Sequence, residues 1–208
     1  MTDPIAPIID GWSIPAPLWH EVRLAYSAPG RHYHDTRHLD EVVARFADIA
    51  RTIGWQAPRE VLLALLFHDV VYVATRHDNE AASADVARDA IARWLVADTI
   101  DVARVVALIL LTARHGTLTP ADVDRDAALF VDIDMSILGA APARFDEYER
   151  DVAREYAAIP PDIYAAGRRH FLTRVLAGDR IFLSERFAAE LDAPARANLR
   201  RALVAAPP

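Results

Sequence analysis

The chain has no cysteine and no lysine, and its apolar runs are short. Without cysteine there is no disulfide framework and no thiolate metal site. All 23 basic residues are arginine, which together with abundant alanine reads as coding bias and not as a functional choice. The longest apolar stretches, Val61–Phe67 and Val105–Thr112, fall well short of the roughly 18 residues of a membrane span, so no membrane segment is expected. The N-terminus carries Asp3 and several prolines where a secretory signal would have a basic region and then an apolar one, so the cytoplasm is the expected location. A net charge of −7, with no cluster of cations, disfavours binding to a nucleic-acid polymer.

What is present describes an ordinary globular chain of 208 residues, 53% apolar and 25% charged, long enough for one domain with a substantial core. Residues 1–17 hold Pro4, Pro7, Pro15 and Pro17 and read as an irregular arm. From Leu18 the pattern is helical. A short helix runs to about Ser27 and breaks at Pro29-Gly30; a second starts behind Thr36 as cap and runs to about Ile53, with His38, Val42, Phe46 and Ile49 on one stripe. Pro58 opens a third helix, apolar on every side, that is expected to be buried and to reach about Val71. Asp78 or Asn79 caps a fourth, Asp101 lies in the first turn of a fifth, and Thr119-Pro120 opens a sixth that stops at Gly139. Three amphipathic segments follow over 142–159, 161–177 and 184–204, the last expected to break near Pro194. No stretch alternates with period two, so the fold class is all-α.

One stretch stands out chemically. His68-Asp69 ends the apolar run that starts at Val61, where an unpaired charge costs several kcal/mol unless it is paired or bound to a metal. His38 and an acid of the Asp132/Asp134 pair lie at inward positions on other helices, and imidazole with carboxylate suits Mn, Fe, Zn, Ni or Mg. Asp132 and Asp134 are about 200° apart around a helix, so one of them faces a given site, and Asp134, between Phe130 and Ile137, is preferred.

The order His38 … His68-Asp69 … Asp134 resembles the HD superfamily of metal-dependent phosphohydrolases. Several blocks extend the likeness: Tyr33-His34-Asp35-Thr36-Arg37-His38-Leu39, Phe67-His68-Asp69-Val70-Val71-Tyr72, Asp78–Ala84, Asp132–Gly139, Arg154-Glu155-Tyr156 and Ala195–Leu199 resemble a bacterial subgroup of predicted HD phosphohydrolases. The resemblance implies an HD-domain-like helical bundle over 18–208, with a metal-binding core at about 30–140 and additional C-terminal helices at about 142–204. It implies metal ligation by His38, His68, Asp69 and Asp134, with Asp69 also orienting a water. It further implies hydrolysis of a phosphomonoester or phosphodiester on a small phosphorylated molecule, a nucleotide among the options.

HD enzymes that cleave nucleotide phosphates often carry a further acid just after the motif, where this chain reads Val70-Val71-Tyr72. Asp78 and Glu80 are the substitutes for that acid, although both also suit a helix N-terminus. His34, Arg37, Arg76, His77 and His115 are candidates for gripping phosphate; His115 is equally suited to a helix C-terminus. Arg154, Arg168 and Arg196 are expected in structural ion pairs. The alternatives are an HD-fold dinuclear-iron oxygenase, with the order His38, His68-Asp69, His77, His115, Asp134 supplying ligands for two metals, and a non-catalytic metal or nucleotide sensor. The oligomeric state is left open, a homodimer among the options.

Overall fold

In the computed structural model the described residues are 8–9, 12–96 and 98–205, so most of the expected N-terminal arm lies outside them. Ile8–Ile9 pairs antiparallel with Trp12–Ser13, in the register Ile8 to Ser13 and Ile9 to Trp12. Every longer element among the described residues is a helix, and none is long and apolar enough to cross a membrane. The chain divides into two compact units, 1–112 and 113–208.

The first unit holds α1 (Ala16–Tyr26), α2 (Thr36–Thr52), α3 (Pro58–Phe67), α4 (Asn79–Trp94) and α5 (Val102–Leu111). Its axis is α3, which packs against α2, α4 and α5. All seven residues from Val61 to Phe67 are at most 2% exposed, as an all-round apolar sequence requires. Leu18, Trp19, Val22 and Tyr26 form the buried face of α1; Leu39, Val42, Phe46 and Ile49 form that of α2. Four starts differ from the sequence expectation. Helix α1 begins at Ala16, inside the stretch read as an arm, and at α4 neither candidate caps: Asp78 makes no side-chain cap bond and the Asn79 side chain bonds to Val73. Asp35, not Thr36, caps α2 by accepting from the amides of Arg37 and His38, and Asp101 is the cap of α5, accepting from the Arg104 amide.

The second unit holds α6 (Arg125–Met135), α7 (Pro142–Glu155), α8 (Pro161–Ala177) and α9 (Glu185–Ala205). Thr119-Pro120 opens only a 3-10 turn, Pro120–Asp122; α6 starts later, where the Asp124 carboxylate accepts from the Ala127 amide. Another 3-10 turn, Ser136–Gly139, follows α6 and packs against α6, α7 and α9. A Cβ on Gly139 would lie 2.7 Å from the Leu191 Cβ, so the residue expected only to end a helix is needed for close approach of α9.

Helix α9 runs through Pro194 without a break. Side chains anchor it on both sides of the proline. Asp192 accepts from the Ile181 and Phe182 amides; Arg196 donates to the carbonyls of Leu176, Gly178 and Asp179, closing the end of α8. Buried Asn198 donates to the carbonyls of Leu138 and Ala140 at 2.9 and 2.8 Å. These contacts give the C-terminal Ala195–Leu199 block a packing role.

Candidate metal centre

The centre is assembled at the end of α3. A continued helix would pair the Asp69 amide with the Leu65 carbonyl, but other groups take both. The His68 ring Nδ1 lies 2.8 Å from the Leu65 carbonyl oxygen, and the Asp69 amide donates instead to the Tyr26 hydroxyl at 3.3 Å. The Arg31 guanidinium then donates to the carbonyls of Asp69 and Val70, at 2.8 and 2.9 Å, and to that of His34 at 2.8 Å. Helix α3 therefore stops at Phe67 instead of reaching about Val71, and His68-Asp69 sits in a turn held from α1 and from the loop before α2. Burial pushes the Tyr26 phenol well above its usual range, so it stays protonated.

His38 enters from the first turn of α2, fixed by the Asp35 cap and packed against the Tyr33 ring at 4.9 Å between centroids. His38 and His68 are each 1% exposed, and their Nε2 atoms are 3.1 Å apart. The Asp69 carboxylate oxygen Oδ2 lies 3.2 Å from His68 Nε2, 3.7 Å from His38 Nε2 and 3.9 Å from His34 Nε2. A carbonyl oxygen only accepts, so His68 carries its proton on Nδ1 and directs the Nε2 lone pair at the other donors. Within the first unit, His38, His68 and Asp69 offer ligand atoms within 4.8 Å of one another and can hold a metal ion. Two imidazole nitrogens and a carboxylate oxygen fit a divalent first-row metal.

His34, expected at phosphate, also faces the Asp69 carboxylate; its ring stacks on Tyr72 at 3.8 Å and 24°. Arg37 is exposed. Arg76 holds both oxygens of exposed Asp78 at 2.8 Å, and this pairing keeps the Asp78 carboxyl below its ordinary range. Among the described residues no hydrogen bond or ion pair joins Arg76, His77, Asp78 or Glu80 to His38, His68 or Asp69.

In the second unit the two candidate aspartates of α6 are separated by environment. Buried Asp132 accepts from the amides of Leu183 and Ser184, both at 2.7 Å, tying α6 to the start of α9. Burial nevertheless raises its carboxyl from 3.8 to about 6, against those hydrogen bonds. Asp134 is partly exposed, and its Oδ2 lies 2.7 Å from His115 Nε2. His115 Nδ1 is buried without a hydrogen-bond partner, and the His115 carbonyl accepts from Arg174 at 3.2 Å. Arg154 and Arg196 pair with Asp151 and Asp192, while Arg168 pairs with Glu149 over the rings of Tyr148 and Phe171.

Sequence reasoning gave no role in holding the turn after α3 to Tyr26, Arg31, Tyr72, Asn79 or Ser83. Arg31 bonds to carbonyls 38 and 39 positions away, and backbone acceptors leave no trace in residue type. Comparison with family models, with curated proteins and with solved structures gives no match.

Proposed function

We propose that this chain is a metal-dependent phosphohydrolase of the HD type, acting on a small phosphorylated molecule. The observation that carries the proposal is the convergence of His38, His68 and Asp69 on one point, with the His68 lone pair directed there by the Leu65 carbonyl. Asp134 is proposed as the fourth ligand, from its place in the order His … His-Asp … Asp. The alternative, Asp132, already has two backbone amides to accept from.

His38, His68 and Asp69, with Asp134 proposed, would hold a divalent cation, which when bound would supply Lewis acidity toward a phosphoryl oxygen and a lowered pKa for water. The protein's own residues position the reaction. In this reading Asp69 orients a water, and His34, whose Nε2 lies 3.9 Å from the Asp69 carboxylate, is the proposed phosphate contact. His115, beside Asp134, offers a second imidazole for that purpose. Proton handling is assigned to Asp78 or Glu80, of which Asp78 has both oxygens bound by Arg76. Net charge of −7 agrees with a small substrate and not a nucleic-acid polymer.

The test is metal analysis of the purified protein, then a phosphate-release screen over nucleotides and small phosphoesters with His68→Ala and Asp69→Ala as controls. Bound metal and release lost in both variants are expected. Activity that survives both substitutions overturns the proposal. Two metal equivalents with an oxygen-dependent reaction would identify a dinuclear oxygenase instead, and ligand-induced stabilisation with no turnover of any phosphoester a sensor.

A further inference from the structure

We propose that Asn79 and Ser83, at the start of α4, are positioning residues: together they hold Tyr72 against the His34 ring and thereby hold His34 at the Asp69 carboxylate. This rests on the reading of His38, His68 and Asp69 as a metal centre that works on a phosphate. The two residues are one helical turn apart, so their side chains lie one above the other on α4. Each makes a reciprocal pair of hydrogen bonds with one residue of the chain leaving the centre. Ser83 Oγ accepts from the Val71 amide at 3.1 Å and donates to the Val71 carbonyl at 3.2 Å. Asn79 Oδ1 accepts from the Val73 amide and Nδ2 donates to the Val73 carbonyl, both at 3.0 Å.

Tyr72 is the residue between these two fixed points, and both of its backbone neighbours are tied to α4. Its ring lies face-on to His34, with centroids 3.8 Å apart. From the other end, Arg31 fixes the carbonyls of Asp69 and Val70 and also that of His34, and its guanidinium carbon is 5.9 Å from the Tyr72 ring centre. The segment 69–73 is thus held at four of its five residues, and the fifth is the aromatic ring that packs on the imidazole. Ser83 is fully buried, so its hydroxyl has no water to turn to and its two Val71 bonds are the condition of its burial. A rigid face behind His34 is what a positioned phosphate contact requires.

The test uses the full-length protein and two readouts. By NMR, the stacked Tyr72 ring shifts the His34 imidazole protons upfield, with the resonance assigned through His34→Gln. Asn79→Ala and Ser83→Ala are each expected to move that resonance toward its position in Tyr72→Ala. A His34 resonance unchanged in folded Asn79→Ala overturns the proposal, and Asn79→Ala serves alone if Ser83→Ala fails to fold. With para-nitrophenyl phosphate and Mn2+, each clamp variant is expected to lose roughly 10-fold in kcat with unchanged metal affinity. In the Tyr72→Ala background Ser83→Ala is expected to add no further loss, whereas fully additive losses overturn the proposal. A wild-type protein that releases no phosphate defeats the proposed function, and the His34 resonance then decides the clamp by itself.

Discussion

His68 Nδ1 and the Leu65 carbonyl oxygen are 2.8 Å apart, three residues from each other at the end of one helix. The contact does two things at once. It replaces the backbone bond that would have continued α3, and it fixes which imidazole nitrogen keeps its proton. The tautomer needed for ligation is therefore set by the same contact that ends the helix.

The first prediction concerns that tautomer. Nitrogen-15 spectra of the histidine side chains are expected to show His68 with a protonated Nδ1 and a bare Nε2, and Nε2 to respond when Ni2+ or Mn2+ is added. His68→Ala is expected to lose at least 100-fold in metal affinity by calorimetry, on the scale of a removed ligand. A His68 signal that ignores the metal would refute ligation through Nε2.

Arg31 is expected to support the centre without touching the metal. Arg31→Lys leaves one ammonium where a fork reached three carbonyls, so it does not restore the contacts. The expected result is a metal affinity lower by roughly 10- to 100-fold, the usual effect of losing a group that orients ligands. An Arg31→Lys protein that binds metal as wild type would show that the turn at 69–70 holds itself.

Asp132 makes a pH prediction. Its carboxyl is raised from 3.8 to about 6 in the folded state, so between those values the folded protein binds the additional proton. Stability from this group is fully present below about pH 4 and is lost as pH rises through about 6. At about 1.4 kcal/mol per pH unit the loss approaches roughly 3 kcal/mol. Urea titrations from pH 4 to 7 should show this slope in the wild type and lack it in Asp132→Asn. Asp132→Asn should also keep its metal, whereas Asp134→Asn should bind it more weakly.

Asn198 tests the second unit. Asn198→Ala removes both donors to the Leu138 and Ala140 carbonyls in a buried setting, at an expected cost of about 1–3 kcal/mol by chemical denaturation. A smaller loss would mean that the turn at 136–139 is held by Leu191 packing alone.

Much of the secondary structure was legible from local pattern. The apolar stripe of α2 put His38 inward, the continuous apolar run of α3 made it central, and prolines at 58, 142 and 161 sit in first turns; Pro17, read as part of an arm, does so too. Boundaries were less legible because capping is decided by geometry. Asp35 and Thr36 are both good caps by residue type, and it is the Asp35 side chain that reaches the Arg37 and His38 amides. Pro194 reads as a break, yet Asp192, Arg196 and Asn198 hold the helix through it with partners that are remote in sequence.

By itself the sequence determined an all-α chain, with a histidine-aspartate pair at the end of its most apolar helix and a second inward histidine upstream. Hydrophobic period and residue chemistry are local, and so survive without coordinates. Tertiary structure alone decided how that pair is presented: Tyr26, Arg31 and Ser83 capture the backbone groups of 69–71, and His34 joins the same carboxylate. It also separated Asp132 from Asp134, because an acid's role depends on which amides reach it, here from 51 and 52 residues away.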